Sequence, residues 1–134
     1  MNISPARSRS IYHGFSLVEM MACVSIIGII AFMAIPSVTR MRSDSERNLA
    51  IARAEALNLA QASYIQVNGR TQAALNWSAA GSTEAKYTLL RPFLSFSETT
   101  LATFMPSGYS VTFAASITSM TKAALTGPSG TIYY

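Results

Sequence analysis

The stretch GFSLVEMMACVSIIGIIAFMAIP, residues 14–36, decides how the rest of the chain is read. Phe15 to Ile35 is a run of 21 residues whose one charge is Glu19. At helical rise such a run is about 31 Å long, close to the hydrocarbon thickness of a bilayer. Helices buried in soluble cores are usually shorter and seldom apolar all round. The run therefore predicts a membrane-spanning helix. Arg7 and Arg9 precede it, with no acidic residue among the first fourteen, which places the N-terminus in the cytoplasm. Arg40 and Arg42 follow on the far side, so the asymmetry is incomplete. The first helix usually decides orientation, and a long C-terminal part crosses largely regardless of its charge.

Other readings of the run turn on its ends and its one charge. A conventional cleaved signal needs a small-residue site after the apolar core. Ala31-Phe32-Met33-Ala34-Ile35-Pro36 matches poorly. A lipoprotein signal would lipidate Cys23, but most of the apolar run follows that cysteine instead of preceding it. An uncleaved anchor remains, and Glu19 weighs against it. A carboxylate near the centre of an apolar helix costs about 2–3 kcal/mol, and less near an interface. Glu19 either snorkels to the headgroups or has a partner.

Gly14-Phe15-Ser16-Leu17-Val18-Glu19-Met20 resembles the prepilin processing motif of type IV pilins and pseudopilins. The resemblance implies a prepilin peptidase that cuts between Gly14 and Phe15 on the cytoplasmic side and then N-methylates Phe15. It implies that Glu19 serves assembly, and that Pro36 stands where many family members carry a helix-kinking proline. Its partners would be the prepilin peptidase/methyltransferase, other pilin-like subunits and the inner membrane. The physics agrees with it. Glycine gives a peptidase unhindered backbone access. Cleavage frees an amine on Phe15, and the ammonium of one subunit can pair with Glu19 of a neighbour in an apolar filament core. A subunit out of register loses the pair, which makes Glu19 a register device.

Residues 37–68 contain no Gly or Pro before Gly69, are rich in alanine and carry interspersed charges. They predict an amphipathic helix, with Val38, Met41, Leu49, Ala52, Ala56, Leu59 and Ser63 near one stripe and Leu57, Ala60, Tyr64 and Val67 widening it. Asn68-Gly69 is a stop signal. The expected fold is α+β: a long N-terminal helix, half membrane-spanning and half amphipathic, packed on a small C-terminal head with a short antiparallel sheet. The expected divisions are a leader at 1–14, a transmembrane and assembly helix at 15–36, the amphipathic helix at 37–68 and the head at 69–134.

Within the head, Thr71–Ala79 and Thr83–Leu90 read as helices, the second capped by Ser82 or Thr83 with Glu84 in its first turn and Pro92 after it. Pro106-Ser107-Gly108 and Gly127-Pro128-Ser129-Gly130 read as turns. Tyr109–Ala114 and Ile117–Leu125 read as an antiparallel pair, with Thr131–Tyr134 a last strand. A head under 70 residues is marginal alone and is expected to lean on the helix. Trp77, Tyr87, Phe93, Phe96, Phe104, Tyr109 and Phe113 are assigned to its core.

Catalytic sets are missing from the sequence. His13 is the one histidine and falls in the leader, so no Ser-His-Asp or Cys-His set remains after processing. The chain is not expected to be an enzyme, to need a cofactor or to take a small-molecule substrate. Net charge is +4, and from Phe15 onward eight basic residues face six acidic ones, too weak a balance to argue for nucleic acid. Arg70, Lys86, Arg91 and Lys122 read as scattered solvated charges. Asn76-Trp77-Ser78 fits a glycosylation sequon, a common pattern. Cys23 has no partner for a disulfide, unlike the cysteine pair of many type IV pilins. The reading favours a pseudopilin of a type II secretion-like system, with a subunit of a type IV or competence pilus, serving adhesion or DNA uptake, as the alternative. A plain anchor for a binding head is the third reading, opposed by Gly14 and Glu19.

Major pseudopilins typically carry a calcium site in a late loop, and Leu101–Tyr134 holds no carboxylate. Carbonyls and hydroxyls alone would bind calcium weakly. No metal is expected. A soluble fragment beginning near Ser37 should melt at the same temperature in calcium and in chelator. A large calcium-dependent rise in the midpoint would overturn this.

Overall fold

The computed structural model describes residues 14–134; the leader, with Arg7, Arg9 and His13, lies outside the described residues. The chain divides after Arg40 into two units, the second being Met41–Tyr134. One helix, α1, runs Leu17–Asn68 and includes Pro36. It supplies the whole helical part of the first unit and the first element of the second.

In the first unit every described side chain is exposed, including Phe15, Leu17, Ile26, Ile30 and Phe32. An 18-residue window there reaches a mean hydropathy of 2.4, and the helix is long and apolar enough to cross a membrane. Two of its small polar side chains bond to their own helix. Ser25 Oγ donates to the Met21 carbonyl at 2.8 Å and Thr39 Oγ1 to the Pro36 carbonyl at 3.0 Å. A helix in hydrocarbon must satisfy its polar groups internally in this way.

In the second unit α1 buries Ala50, Ala54, Leu57, Ala60, Gln61 and Tyr64. These lie at helical three- and four-residue spacing on one face. The face is displaced from the stripe that the sequence suggested. Leu57, Ala60 and Tyr64 of the widening set are buried, whereas Met41, Leu49, Ala52, Ala56, Leu59 and Val67 are exposed. Three of these buried positions are alanines, which share one buried cluster with the larger side chains Trp77, Tyr87 and Leu90. The larger aliphatic side chains on the other face had suggested the opposite choice.

Gly69 separates α1 from α2, Arg70–Ala79, and its φ of 77° turns the chain where a side chain would be strained. Helix α3, Thr83–Leu90, is capped by Ser82, whose Oγ accepts from the Ala85 N–H at 3.1 Å. A 3₁₀ turn at Arg91–Phe93 takes in Pro92. A four-residue helix α4, Leu101–Phe104, was not anticipated; Thr100 and Thr103 cap it reciprocally, and the Glu84 carboxylate accepts from the Leu101 N–H.

The sheet has antiparallel strands in the order β1 (Ser110–Thr112), β2 (Ala124–Gly127), β3 (Gly130–Ile132). Val111, Leu125 and Ile132 stand in register across it and turn toward the core. The strand expected over Ile117–Leu125 begins only at Ala124. Ile117–Ser119 is a 3₁₀ turn that drops Ile117 into the core, and Met120 leaves it with a left-handed φ of 53°. A β-branched residue in a short buried turn carries the same local signal as one in a strand.

Trp77 anchors the core. It is 1% exposed, donates from Nε1 to the Ala114 carbonyl at 3.0 Å and meets Phe113 edge-on. Asn58 ties α1 to the end of the chain: its Oδ1 accepts from the Ala123 N–H at 2.8 Å and its Nδ2 donates to the Tyr134 hydroxyl at 3.1 Å. That hydroxyl donates in turn to the Ala123 carbonyl.

The fully buried Tyr87 hydroxyl both donates to the Glu98 carbonyl and accepts from the Glu98 N–H. Burial pushes its pKa above the ordinary tyrosine value, against the opposing pull of the Glu98 backbone. Burial raises Tyr134 similarly. An unfolded chain therefore releases these protons at a lower pH than the folded one does. Their contribution is complete below the ordinary tyrosine pKa of about 10 and is lost as pH rises through the folded-state values. Tyr87→Phe should cost about 1–3 kcal/mol at neutral pH by stranding Glu98 backbone groups, and it should flatten part of the alkaline decline. Denaturant melts of Met41–Tyr134 at pH 7 and above pH 10 check both; an unchanged neutral stability would refute the assigned role.

Candidate functional site

The candidate site is the start of α1. Gly14, Phe15 and Ser16 precede the helix, and the Met20 N–H closes its first turn on the Ser16 carbonyl at 3.1 Å. Glu19 falls in that first turn, where the positive end of the helix dipole favours a carboxylate. A Cβ placed on Gly14 would meet nothing within 4 Å, so the fold itself has no packing need for glycine there. Phe15 is 75% exposed. Among the described residues Glu19 has no ion-pair partner; Arg42–Glu46, on the outside of α1, is the pair that forms.

In the uncut chain the Phe15 nitrogen is a peptide amide and offers no positive charge. Gly14, Phe15 and Glu19 gather at one helix end. Pro36 lies 17 positions beyond Glu19, about 25 Å along the axis. Proline has no N–H for the Phe32 carbonyl, which weakens the ladder at that turn. Cys23 is a free, exposed thiol in the apolar run.

Among the described residues no three of His, Cys, Asp and Glu cluster. The basic side chains read as solvated are mostly engaged. Lys86 lies 5.2 Å from the Trp77 ring and donates to the Ala114 carbonyl, Lys122 donates to the Tyr134 carbonyl at 2.7 Å, and Arg70 donates to the Thr118 carbonyl. The sequon lies inside α2, where Asn76 donates to the Tyr64 hydroxyl and accepts from Gln72.

Sequence reasoning missed one surface feature, a groove of about 240 Å³ between α1 and the segment from Phe93 to Phe104. Ala52, Ala56 and Leu59 form one wall and Phe93, Leu94, Phe96 and Phe104 the other. Phe96, assigned to the core from sequence, is 58% exposed at its rim. The exposed stripe on α1 was the signal available, and it had been read as the packing face.

No curated protein and no solved structure matches the chain. The motif that matches implies processing by a prepilin peptidase and assembly with other pilin subunits, and with the apolar helix it fits anchoring in the inner membrane. Residues 9–35 match the family model of the prokaryotic N-terminal methylation motif, and the chain thus carries the signature of type IV pilins and pseudopilins.

Proposed function

We propose that the chain is a pseudopilin of a type II secretion-like system: a structural subunit, cut between Gly14 and Phe15, methylated on Phe15, and drawn from the inner membrane into a filament. The leader is 1–14, the transmembrane and assembly helix 15–36, the amphipathic helix 37–68 and the head 69–134. The N-terminus is cytoplasmic and the head periplasmic. The observation that carries the reading is Glu19: a lone carboxylate in an exposed apolar helix, four residues after a glycine that the fold has no packing need for. A plain anchor has no use for either. The small head and the absence of a cysteine pair favour secretion over a surface pilus. Loss of the gene should then abolish export of a secreted protein; loss of adhesion or DNA uptake instead would favour the pilus reading.

Processing is tested on intact mass. Protein from native membranes should begin at Phe15 and carry one methyl group. A bulky replacement of Gly14 should block the cut. A chain that keeps its leader beside an active prepilin peptidase would refute the assignment.

Glu19 separates filament subunit from anchor. Glu19→Leu makes the helix more apolar, so insertion and cleavage should be preserved. Assembly should fail, because a neighbour's Phe15 ammonium would be buried without a counter-charge, at a cost of about 3–5 kcal/mol. Glu19→Asp, a methylene shorter, should be intermediate. Membrane level, N-terminal processing and sheared filament yield are compared for each variant. A processed Glu19→Leu chain that assembles like the unmodified one would leave the anchor reading ahead.

A further inference from the structure

The groove between α1 and the Phe93–Phe104 segment has apolar walls and one charge. Arg53 donates to the Phe104 carbonyl, and its guanidinium carbon lies 5.4 Å from the Phe104 ring centre and 6.0 Å from that of Phe96. Among the described residues it has no carboxylate partner. A guanidinium has five donors in a planar fork that suits a carboxylate, and here most of the fork is unspent. The wall on α1 is low, because Ala52 and Ala56 project little beyond the backbone. Small residues let a second helix approach closely.

Glu55 is the complementary group. It is exposed and also unpaired among the described residues. At 100° per residue, Arg53 and Glu55 lie about 160° apart around α1, on opposite edges of the exposed stripe of Leu49, Ala52, Ala56 and Leu59. Arg53 lines the groove and Glu55 does not, so a helix seated in the groove meets the first copy's Arg53 and not its Glu55. One copy offers its groove and Arg53 to one neighbour and Glu55 to another. Such a contact is heterologous, and heterologous contacts that do not close propagate as a helical array.

We infer that the groove beside Arg53 receives α1 of a second copy of this chain, whose Glu55 pairs with the guanidinium while its Leu59 side packs against Phe96. This rests on the filament reading above and names the surface that reading leaves open. The contact sets which copy follows which, by charge as well as by shape.

The test uses the full-length chain, expressed with its assembly machinery. Glu55→Arg is the decisive single variant, since among the described residues Glu55 makes no ion pair. It should reduce filament yield about tenfold or more while leaving membrane level and N-terminal processing unchanged. Arg53→Glu should do the same but also loses the bond to Phe104. The double variant R53E/E55R, with the pair reversed, should return yield to within about threefold of the unmodified chain. In a Cys23→Ser background, co-expressed Leu59→Cys and Phe96→Cys chains should cross-link in filaments to a dimer of this chain, and neither should do so alone. Filaments at full yield from Glu55→Arg, or cross-links only to a different protein, would overturn the contact and leave the filament reading standing. A processed, unmodified chain that forms no filament would overturn both.

Discussion

The second unit depends on one packing face, the side of α1 that carries Ala50, Ala54, Leu57, Ala60 and Tyr64. A head this small cannot enclose a core with its own elements. It borrows a rigid wall instead. The alanines, Leu57 and Tyr64 share one buried cluster with the head's large side chains, and Asn58 meets Ala123 and Tyr134 through polar bonds. The polar bonds fix which part of the helix the sheet meets, a choice that apolar contact alone would leave loose. The same helix has no such wall before Arg40, where every described side chain is exposed. One continuous element thus serves two environments. Its composition changes from nearly uncharged to charge-studded where the need for a partner phase gives way to packing within the chain.

The apolar run, the long helix, the stop at Asn68, the Ser82 cap and the two Gly-containing turns were legible because each rests on local chemistry: hydropathy, a missing Cβ, a hydroxyl next to a helix start. The buried face of α1 was not. Both faces carry apolar residues, and which one is covered depends on a head that follows tens of residues later. Size misled as well, since Leu49 and Leu59 outweigh Ala50 and Ala54 on any hydropathy scale, yet the alanines are inside. Helix α4 was missed because Thr100 and Thr103 cap each other within four residues, too short for a periodic pattern. Phe96 was placed inside by its type and stands outside by its position.

At the candidate site, the match to the methylation motif over residues 9–35 belongs to a short linear stretch, which can be read without knowledge of the fold. Arg53 was not readable. Its meaning comes from two aromatic rings and a carbonyl about fifty residues away in the chain. The lysines and arginines of the head taught the converse lesson. Read as free charge, Arg70, Lys86 and Lys122 mostly serve as donors to backbone carbonyls that the sheet and helices leave uncovered.

The bonds from Asn58 carry a consequence for timing. Its partners Ala123 and Tyr134 lie 65 and 76 residues later. At synthesis rates of about 5–20 residues per second, roughly 3–15 seconds separate the appearance of Asn58 from that of its partners. For that interval α2 and the Phe93 ring can already meet Tyr64, but the partners of Asn58 have not been made. Closure of the bonds from Asn58 thus waits on residues 123–134, and a pause in translation or translocation near residue 120 prolongs the time that Asn58 spends without them.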